Sequence, residues 1–433
     1  MIISIIAFMA IISPDPDTLA LSLADAVQLA RENNPMVQMA DAEARAANQN
    51  PAMASQAFLP TVTVSGQGIR TTDPVAAFGL KLRQANFQAQ DLALDAMNNP
   101  APYTGFTVGV TIQQPLFAPE GLFGHAAARR AAAAREAGVD RARGMIELET
   151  VRAYWGAQLA AGAVATWDAA LVAATAHAEQ AEALQAQGLV TSLDARLARL
   201  RVADLEARRI QSIADRANAV DGIRTLLGIG FDMPITLSDS IVPEVDMGCG
   251  EDCSAERQDL AAARLALSAT ELAVKSAWAA QLPQVGAFGV FEHNANTTSF
   301  GGSGHWTIGI GVTWNPFPAL SGIGAVRRAQ ADRDRQFHQL SQLEATARFE
   351  KVSAERLREA AQNRVAIAER AFQESIDALG QAEVRYRTGV SSISELLDVE
   401  AAHTAARLNM LAARHDLLVA DASFEFAIGA FDR

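Results

Sequence analysis

The stretch Trp306-Thr-Ile-Gly-Ile-Gly-Val-Thr-Trp314 decides the fold class of this chain. It alternates with a period of two, so Trp306, Ile308, Ile310, Val312 and Trp314 share one face of a strand while threonine and glycine share the other. Tryptophan closes both ends of the apolar row. Eight steps at about 3.4 Å span about 27 Å along the strand, or about 20 Å along a membrane normal at the usual barrel tilt. That is close to the apolar belt of an outer-membrane barrel. The competing reading is a soluble sheet edge that carries its aromatics by chance.

Outward from this strand the sequence repeats itself. Phe106-Thr-Val-Gly-Val fits Trp306-Thr-Ile-Gly-Ile at an offset of 200, and Pro115/Pro316, Gly188/Gly389 and Gly228/Gly429 are each 201 apart. One residue is gained between strand and proline, as a bulge allows. Pro60 and Pro283 are 223 apart, so the first strand-to-strand loop carries about 22 extra residues. Agreement at several punctuation points is the mark of an internal duplication. The expected organisation is an N-terminal segment 1–20, a first repeat 21–228, a joining segment 229–254 and a second repeat 255–433.

Each repeat reads as helix, strand, loop, strand, long helix, glycine tip and returning helix. The first opens with a helix at Ser22, which breaks briefly at Asn33-Asn-Pro35 and ends at Leu59-Pro60. A strand Thr61-Val-Thr-Val-Ser65, a polar excursion over 70–102 and a strand over 105–113 follow. A long helix is expected from about His125 to Gln187, and another from 191 to Gly228. On the latter, Leu193, Leu197, Leu200, Ala207, Ile210, Ala214 and Ala217 recur as a coiled-coil-like seam. The second repeat places its strands at 284–292 and 305–314, its long helix from about Ala325 to Arg387 and its last helix up to Gly429. There Ile393, Leu397, Ala401, Leu408, Leu411 and Leu418 form the seam.

Two strands per repeat make four per chain. Four strands cannot close a barrel, and open edges cannot sit in lipid. Three chains would supply twelve strands, which makes a homotrimer the simplest closure. The helical rows, of roughly 60–75 residues, would each reach about 90–110 Å if unbroken. The fold class expected is therefore mixed α and β, mainly α: a long coiled-coil α-barrel with a four-stranded contribution to a trimeric 12-stranded transmembrane β-barrel.

Composition fits this. Of the 433 residues 50% are hydrophobic but only 6% aromatic, a balance carried by alanine and suited to close-packed helices. The net charge of −13 argues against a nucleic-acid partner. No apolar run approaches the ~18 residues of a spanning helix. Met1 to Ile12 looks like the apolar part of a secretory signal, without a preceding Lys or Arg; the alternative is a buried start of the mature chain. Cys249 and Cys253 are a candidate disulfide across a short loop.

The tip stretch Tyr386-Arg-Thr-Gly-Val-Ser-Ser-Ile-Ser-Glu-Leu-Leu-Asp398 breaks one helix at Gly389 and caps the next at Ser391 or Ser392. Its counterpart is Gly188-Leu-Val-Thr-Ser-Leu-Asp194. Acidic residues just past a tip have a plain reading, as complements of the helix dipole.

Taken in order, Leu21-Ser-Leu-Ala-Asp-Ala-Val-Gln-Leu-Ala30 with Asn34-Pro35, Leu59-Pro60, Gln114-Pro-Leu-Phe117, Gly188-Leu-Val with Asp194, and Tyr386-x-x-Gly389 through Asp398 resemble the TolC-like outer-membrane efflux family from Leu21 to Gly429. The resemblance implies a trimeric channel in the bacterial outer membrane that continues into the periplasm. Its tips would dock a periplasmic adaptor and an inner-membrane pump, and its β-barrel would contact outer-membrane lipid through a girdle including Trp306, Trp314 and Phe106. Glu395, Asp398 and Asp194 would line the entrance as carboxylate rings. Tyr386 matches a position that helps hold the entrance shut. The family's basic residue two places after the glycine is replaced by Ser391, which leaves Arg385 or Arg387 for that role. Gly188, Leu189, Val190, Thr388, Gly389 and Val390 match surfaces gripped by adaptors.

No enzymatic, cofactor or metal pattern competes with this reading. The seven histidines are scattered without H-x-x-x-H or H-E-x-x-H spacing, and a solvated loop is the favoured reading of His293 and His305. The rival functions are a soluble or peripheral coiled-coil scaffold and an autonomous porin.

Overall fold

The computed structural model describes residues 19–241, 256–297, 301–316 and 319–432. Cys249, Cys253 and the run Met1 to Ile12 lie outside the described residues. In chain order, β1 (Leu19–Leu21) leads into α1 (Leu23–Asn33), α2 (Pro35–Ala47), α3 (Asn50–Ala54) and β2 (Thr61–Thr71). Then come α4 (Pro74–Arg83), α5 (Leu94–Asn98), β3 (Tyr103–Phe117), α6 (Pro119–Ala186) and α7 (Ser192–Leu227). β4 (Ile235–Leu237) precedes α8 (Gln258–Ala279), β5 (Gln284–Ala295), β6 (Ser303–Thr313), α9 (Ala319–Arg387) and α10 (Ile393–Ala427). The described residues form two compact units: 19–43, 136–241, 256–261 and 341–432 form one, and 44–135 with 262–297, 301–316 and 319–340 form the other.

The second unit is built on an antiparallel sheet in the order β2-β3-β5-β6. Its register aligns Val64, Val110, Phe291 and Trp306 in one row and Ser65, Gly109, Glu292 and His305 in the next. Successive rows face opposite ways. The apolar face is open, with Trp306 74% and Ile310 71% exposed. Among the described residues β2 and β6 each pair on one side only.

β2 runs well past Ser65, because β3 pairs with it residue for residue up to Thr71↔Tyr103. A cross-strand partner overrides the low strand preference of Gly66 and Gly68. β3 likewise continues through Gln114-Pro-Leu-Phe117, with a register irregularity between Pro115 and Phe117. A proline, which has no N–H to give, is tolerated at such a break. The 70–102 excursion contains α4, whose start was legible: Asp73 caps Ala76 N–H and Pro74 opens the helix.

The helical unit corrects other expectations. α6 starts at Pro119 and α9 at Ala319, earlier than the sequence pattern suggests. Asn34 separates α1 from α2, accepting from Met36 N–H and donating to Leu226 O at the end of α7, each at 2.9 Å. α6 also holds an 18-residue window of mean hydropathy 1.4, apolar enough to pass for a spanning helix; its apolarity is largely alanine. On α7 the expected seam is not the buried one: Leu193, Leu200 and Ile210 are exposed, while Ala195, Ala198, Leu205 and Ser212 are buried. Ala195 and Ala198 pack on Ala178 and Ala181 of α6. Small residues let helix backbones approach closely, so the intrachain seam follows them rather than the largest side chains. In the first turns of α10 the buried positions are Ile393, Leu396, Glu400 and Thr404, followed by Ala413, Leu417, Ala422 and Ala427.

The core of this unit gathers Leu21, Tyr154, Ile223 and Leu227 under the parallel pair β1–β4. These three-residue strands are too short to show alternation, so the sequence reading missed them. The Tyr154 hydroxyl lies within hydrogen-bond distance of Leu21 O (3.0 Å) and Asp239 Oδ2 (2.9 Å), one of which takes its single proton, and burial pushes its pKa up to about 12.

Candidate functional site

The two helical tips are built alike. After α6, Gly188 N–H donates to Gln185 O and Leu189 N–H to Leu184 O; after α9, Gly389 N–H donates to Tyr386 O and Val390 N–H to Arg385 O. Both are the two-bond helix stop that needs a left-handed residue, and the glycines sit at φ +73° and +76°. Thr191 caps α7 and Ser392 caps α10, so Ser392 rather than Ser391 is the N-cap.

The acidic residues differ in their surroundings. Asp194 Oδ2 accepts from Thr191 N–H at 2.9 Å and from the Thr191 hydroxyl at 2.7 Å, closing a capping box. Its carboxylate is committed to its own helix start. Glu395 gives its backbone N–H to Ser392 Oγ, but its carboxylate reaches across the tip to Arg385 Nη2 at 3.3 Å. Asp398 is exposed on the next turn, and Arg387 is exposed. Glu395 and Arg385 thus come together, whereas Asp194 stands at the other tip. Of the adaptor-contact residues, Leu189 and Val390 are 67% and 68% exposed. Gly188, Thr388 and Gly389 are exposed and Val190 is half-buried.

Tyr386 is buried against Ala382, Ile393 and Leu396. Its hydroxyl has no hydrogen-bond partner among the described residues, and neither does the buried Ser391 hydroxyl. Burial raises the Tyr386 pKa, with the charge of Asp194 adding to the shift. The ring meets His177 of α6 edge-on at 6.5 Å. His177 Nε2 lies 2.7 Å from Glu400 Oε1 on α10, and this contact raises the His177 pKa against the opposing effect of burial. A cavity of about 140 Å³ beside the pair is lined by Arg201, Glu383, Glu400, His403 and Arg407. His403 meets Ser375 Oγ at 3.0 Å, and its pKa is lowered by burial and then by Arg407. Sequence reading missed this polar layer. The available signal was Glu400, the one acid in the 393/396/400/404 stripe.

At the sheet, Trp306 and Trp314 project from the apolar face, with Trp314 Nε1 donating to Gln281 O at 3.1 Å. Phe106 is half-buried and lies over Gly68. His305 is not a free loop residue: its Nε2 lies 2.7 Å from Arg83 O. Among the described residues no group of three or more His, Cys, Asp or Glu could hold a metal.

Comparison with known proteins agrees with this architecture. The family model described as outer membrane efflux protein matches residues 26–229 and 251–430, in two halves. No curated protein sequence matches the chain. Among solved structures, the CmeC outer membrane channel of Campylobacter jejuni superposes with a TM-score of 0.82 at 18% identity, over 94% of this chain and 85% of that one. The outer membrane protein VceC of Vibrio cholerae gives 0.78 at 20% identity, over 94% and 96%. The open state of the Neisseria gonorrhoeae MtrE channel gives 0.77 at 18%, over 98% and 94%. With its two matching halves, its four-stranded sheet and its paired helical tips, the chain belongs to the outer membrane efflux protein family of TolC-like, non-enzymatic channels, seated in the outer membrane and extending into the periplasm.

Proposed function

We propose that the chain works as a homotrimeric exit duct of a tripartite efflux or secretion system, driven by an inner-membrane pump through a periplasmic adaptor. The observation that carries this is the sheet: an open apolar face edged by tryptophans, with β2 and β6 each lacking a second partner among the described residues. Such a sheet is stable in lipid only when further copies pair both edges. A soluble scaffold would leave this face in water. The repeats 21–228 and 255–433, joined by 229–254, are the duplicated building blocks of the duct.

The periplasmic entrance is assigned to the second tip. Glu395 and Asp398, tripled by symmetry, would favour cations and repel anions, with Asp194 contributing from the first tip. Buried Tyr386 and half-buried Ser391, whose hydroxyls find no partner among the described residues, and Arg385, bridged to Glu395, hold the tip, with Arg387 beside them. The exposed apolar pair Leu189 and Val390, with Gly188, Val190, Thr388 and Gly389, forms the adaptor-facing surface.

Fractionation and planar-bilayer recording test this. The protein should sediment with outer membranes as a trimer, and Glu395→Gln with Asp398→Asn should lower cation selectivity. Recovery in the soluble fraction sinks the duct; unchanged selectivity in a working channel sinks only the entrance assignment.

A further inference from the structure

The two β-hairpins end very differently. β5 and β6 are joined by a short loop, whereas β2 and β3 are separated by 72–102, which folds. Phe78 and Phe87 meet edge-on at 4.8 Å, Lys81 and Asp91 pair at 2.7 Å, and Ala77 and Leu80 are buried. This insert does not project away from the sheet. Leu80 sits where a Cβ on Gly105 would come within 2.6 Å of it. Gln84 is buried and donates to Ala295 O at 3.0 Å and to Thr104 O at 3.3 Å, and it accepts from the Tyr103 hydroxyl at 2.7 Å. Arg83 Nη1 lies 3.7 Å from Glu292 Oε2, and Arg83 O takes the His305 contact.

These contacts choose a face. Glu292 and His305 share a row with Ser65 and Gly109, and Gly105 has the same parity on β3. All lie opposite the tryptophan face, so α4 crosses the small and polar face from β3 to β6. In a closed barrel with the tryptophans in lipid, that face lines the pore. α3, α6, α8 and α9 adjoin the sheet at the ends marked by Thr61, Phe117, Gln284 and Thr313. The insert is at the opposite end, the outer mouth when the helices point into the periplasm. Arg83 is level with His305, one residue from Trp306 at the edge of the apolar band.

We propose that residues 72–102 form a size filter at the outer mouth of the pore, held against its wall by Leu80, Arg83 and Gln84. The proposal rests on the trimeric duct reading. Twelve strands about 4.8 Å apart and tilted about 40° make a barrel about 24 Å across. Three packed helices, each about 10 Å across, would take up about half of that section. Large solutes are excluded, while small ones pass between the inserts.

The test reads pore access from outside in intact cells, in a Cys249→Ser, Cys253→Ser background. Thr111→Cys places a thiol on the pore face below Arg83, in the row of Thr63, Val290 and Thr307. Cells are treated with a small sulfonated maleimide or with polyethylene-glycol maleimides of increasing size. The small reagent should label the parent, and the large ones should label it slowly. Replacing 73–101 by a short Gly-Ser turn should speed labelling by the large reagents several-fold without changing the small one. Gly105→Val keeps the insert but removes the space that Leu80 occupies, and should do the same; it decides the matter if the excised variant does not assemble. Equal labelling by large reagents in every assembled variant overturns the filter. Failure of the small reagent to reach the thiol in the variants shows that this face does not line a pore, and also overturns it. Absence of the parent from the outer membrane is a different result, and it removes the duct reading itself.

Discussion

The two halves of this chain agree where the backbone must turn and differ in the side chains that surround those turns. Gly188, Gly389, Gly228 and Gly429 all adopt positive φ at equivalent places. The side chains around the tips do not match. At the offset of 201, Tyr386 corresponds to Gln185, Arg385 to Leu184 and Asp398 to Leu197. One tip closes a capping box with Asp194; the other spends Glu395 on Arg385. One β-hairpin carries a folded insert and the other a short loop. The difference teaches that duplication preserved the turns set by backbone sterics and left the side chains around them free to diverge.

The largest test concerns the link between the halves. His177 and Glu400 join α6 to α10, while their counterparts are Ala378 and Arg199, and Arg199 pairs with Glu182 inside its own hairpin. Breaking the pair with His177→Ala should cost about 2 kcal/mol, below the ~3–5 kcal/mol of fully buried pairs because it is only partly desolvated. Arg199→Ala, at an exposed pair, should cost less than about 0.5 kcal/mol. Thermal melting of the purified protein measures both, and equal losses would erase the asymmetry. The pH dependence has a definite sign. His177 has a raised pKa, so its contribution is complete below the ordinary histidine value of 6.5 and is lost as pH rises through its higher folded value. Glu383 and Glu400 add to that shift. The melting difference between parent and His177→Gln should therefore shrink as the pH is raised.

A middle-sized effect probes the shared turns. Gly188→Ala and Gly389→Ala should each cost about 1 kcal/mol, since a Cβ is strained at positive φ even where space is open. Amide hydrogen exchange at each tip reads the two separately. A tip that tolerates alanine without faster exchange would not be held by its glycine. The smallest effect on stability is at Arg385. Its bridge to Glu395 is half exposed, so Arg385→Gln should change stability by less than about 0.5 kcal/mol. It should raise cation selectivity in bilayers by freeing the carboxylate. Unchanged selectivity would mean that Glu395 does not face the ion path.

Much of this was legible in the residues. The alternation from Trp306 to Trp314, the paired glycines and the prolines are local signals with local causes, so strands and tips emerge where the sequence places them. Asp73-Pro74 was a helix start of the same kind, passed over inside a polar stretch. The α7 seam was misjudged because large apolar residues recur at coiled-coil spacing, yet the neighbouring helix selected Ala195 and Ala198.

By itself, then, the sequence determined the duplication, the strand faces, the helix stops and the need for partner strands. These depend on side-chain alternation and backbone sterics within a few residues. Only the tertiary structure decided that β1 pairs with β4, that His177 meets Glu400, that Arg385 rather than Arg387 answers Glu395, and that the 72–102 insert lies on the polar face of the sheet. Each of these joins residues far apart in the chain, or chooses between partners equally near, and packing alone makes that choice.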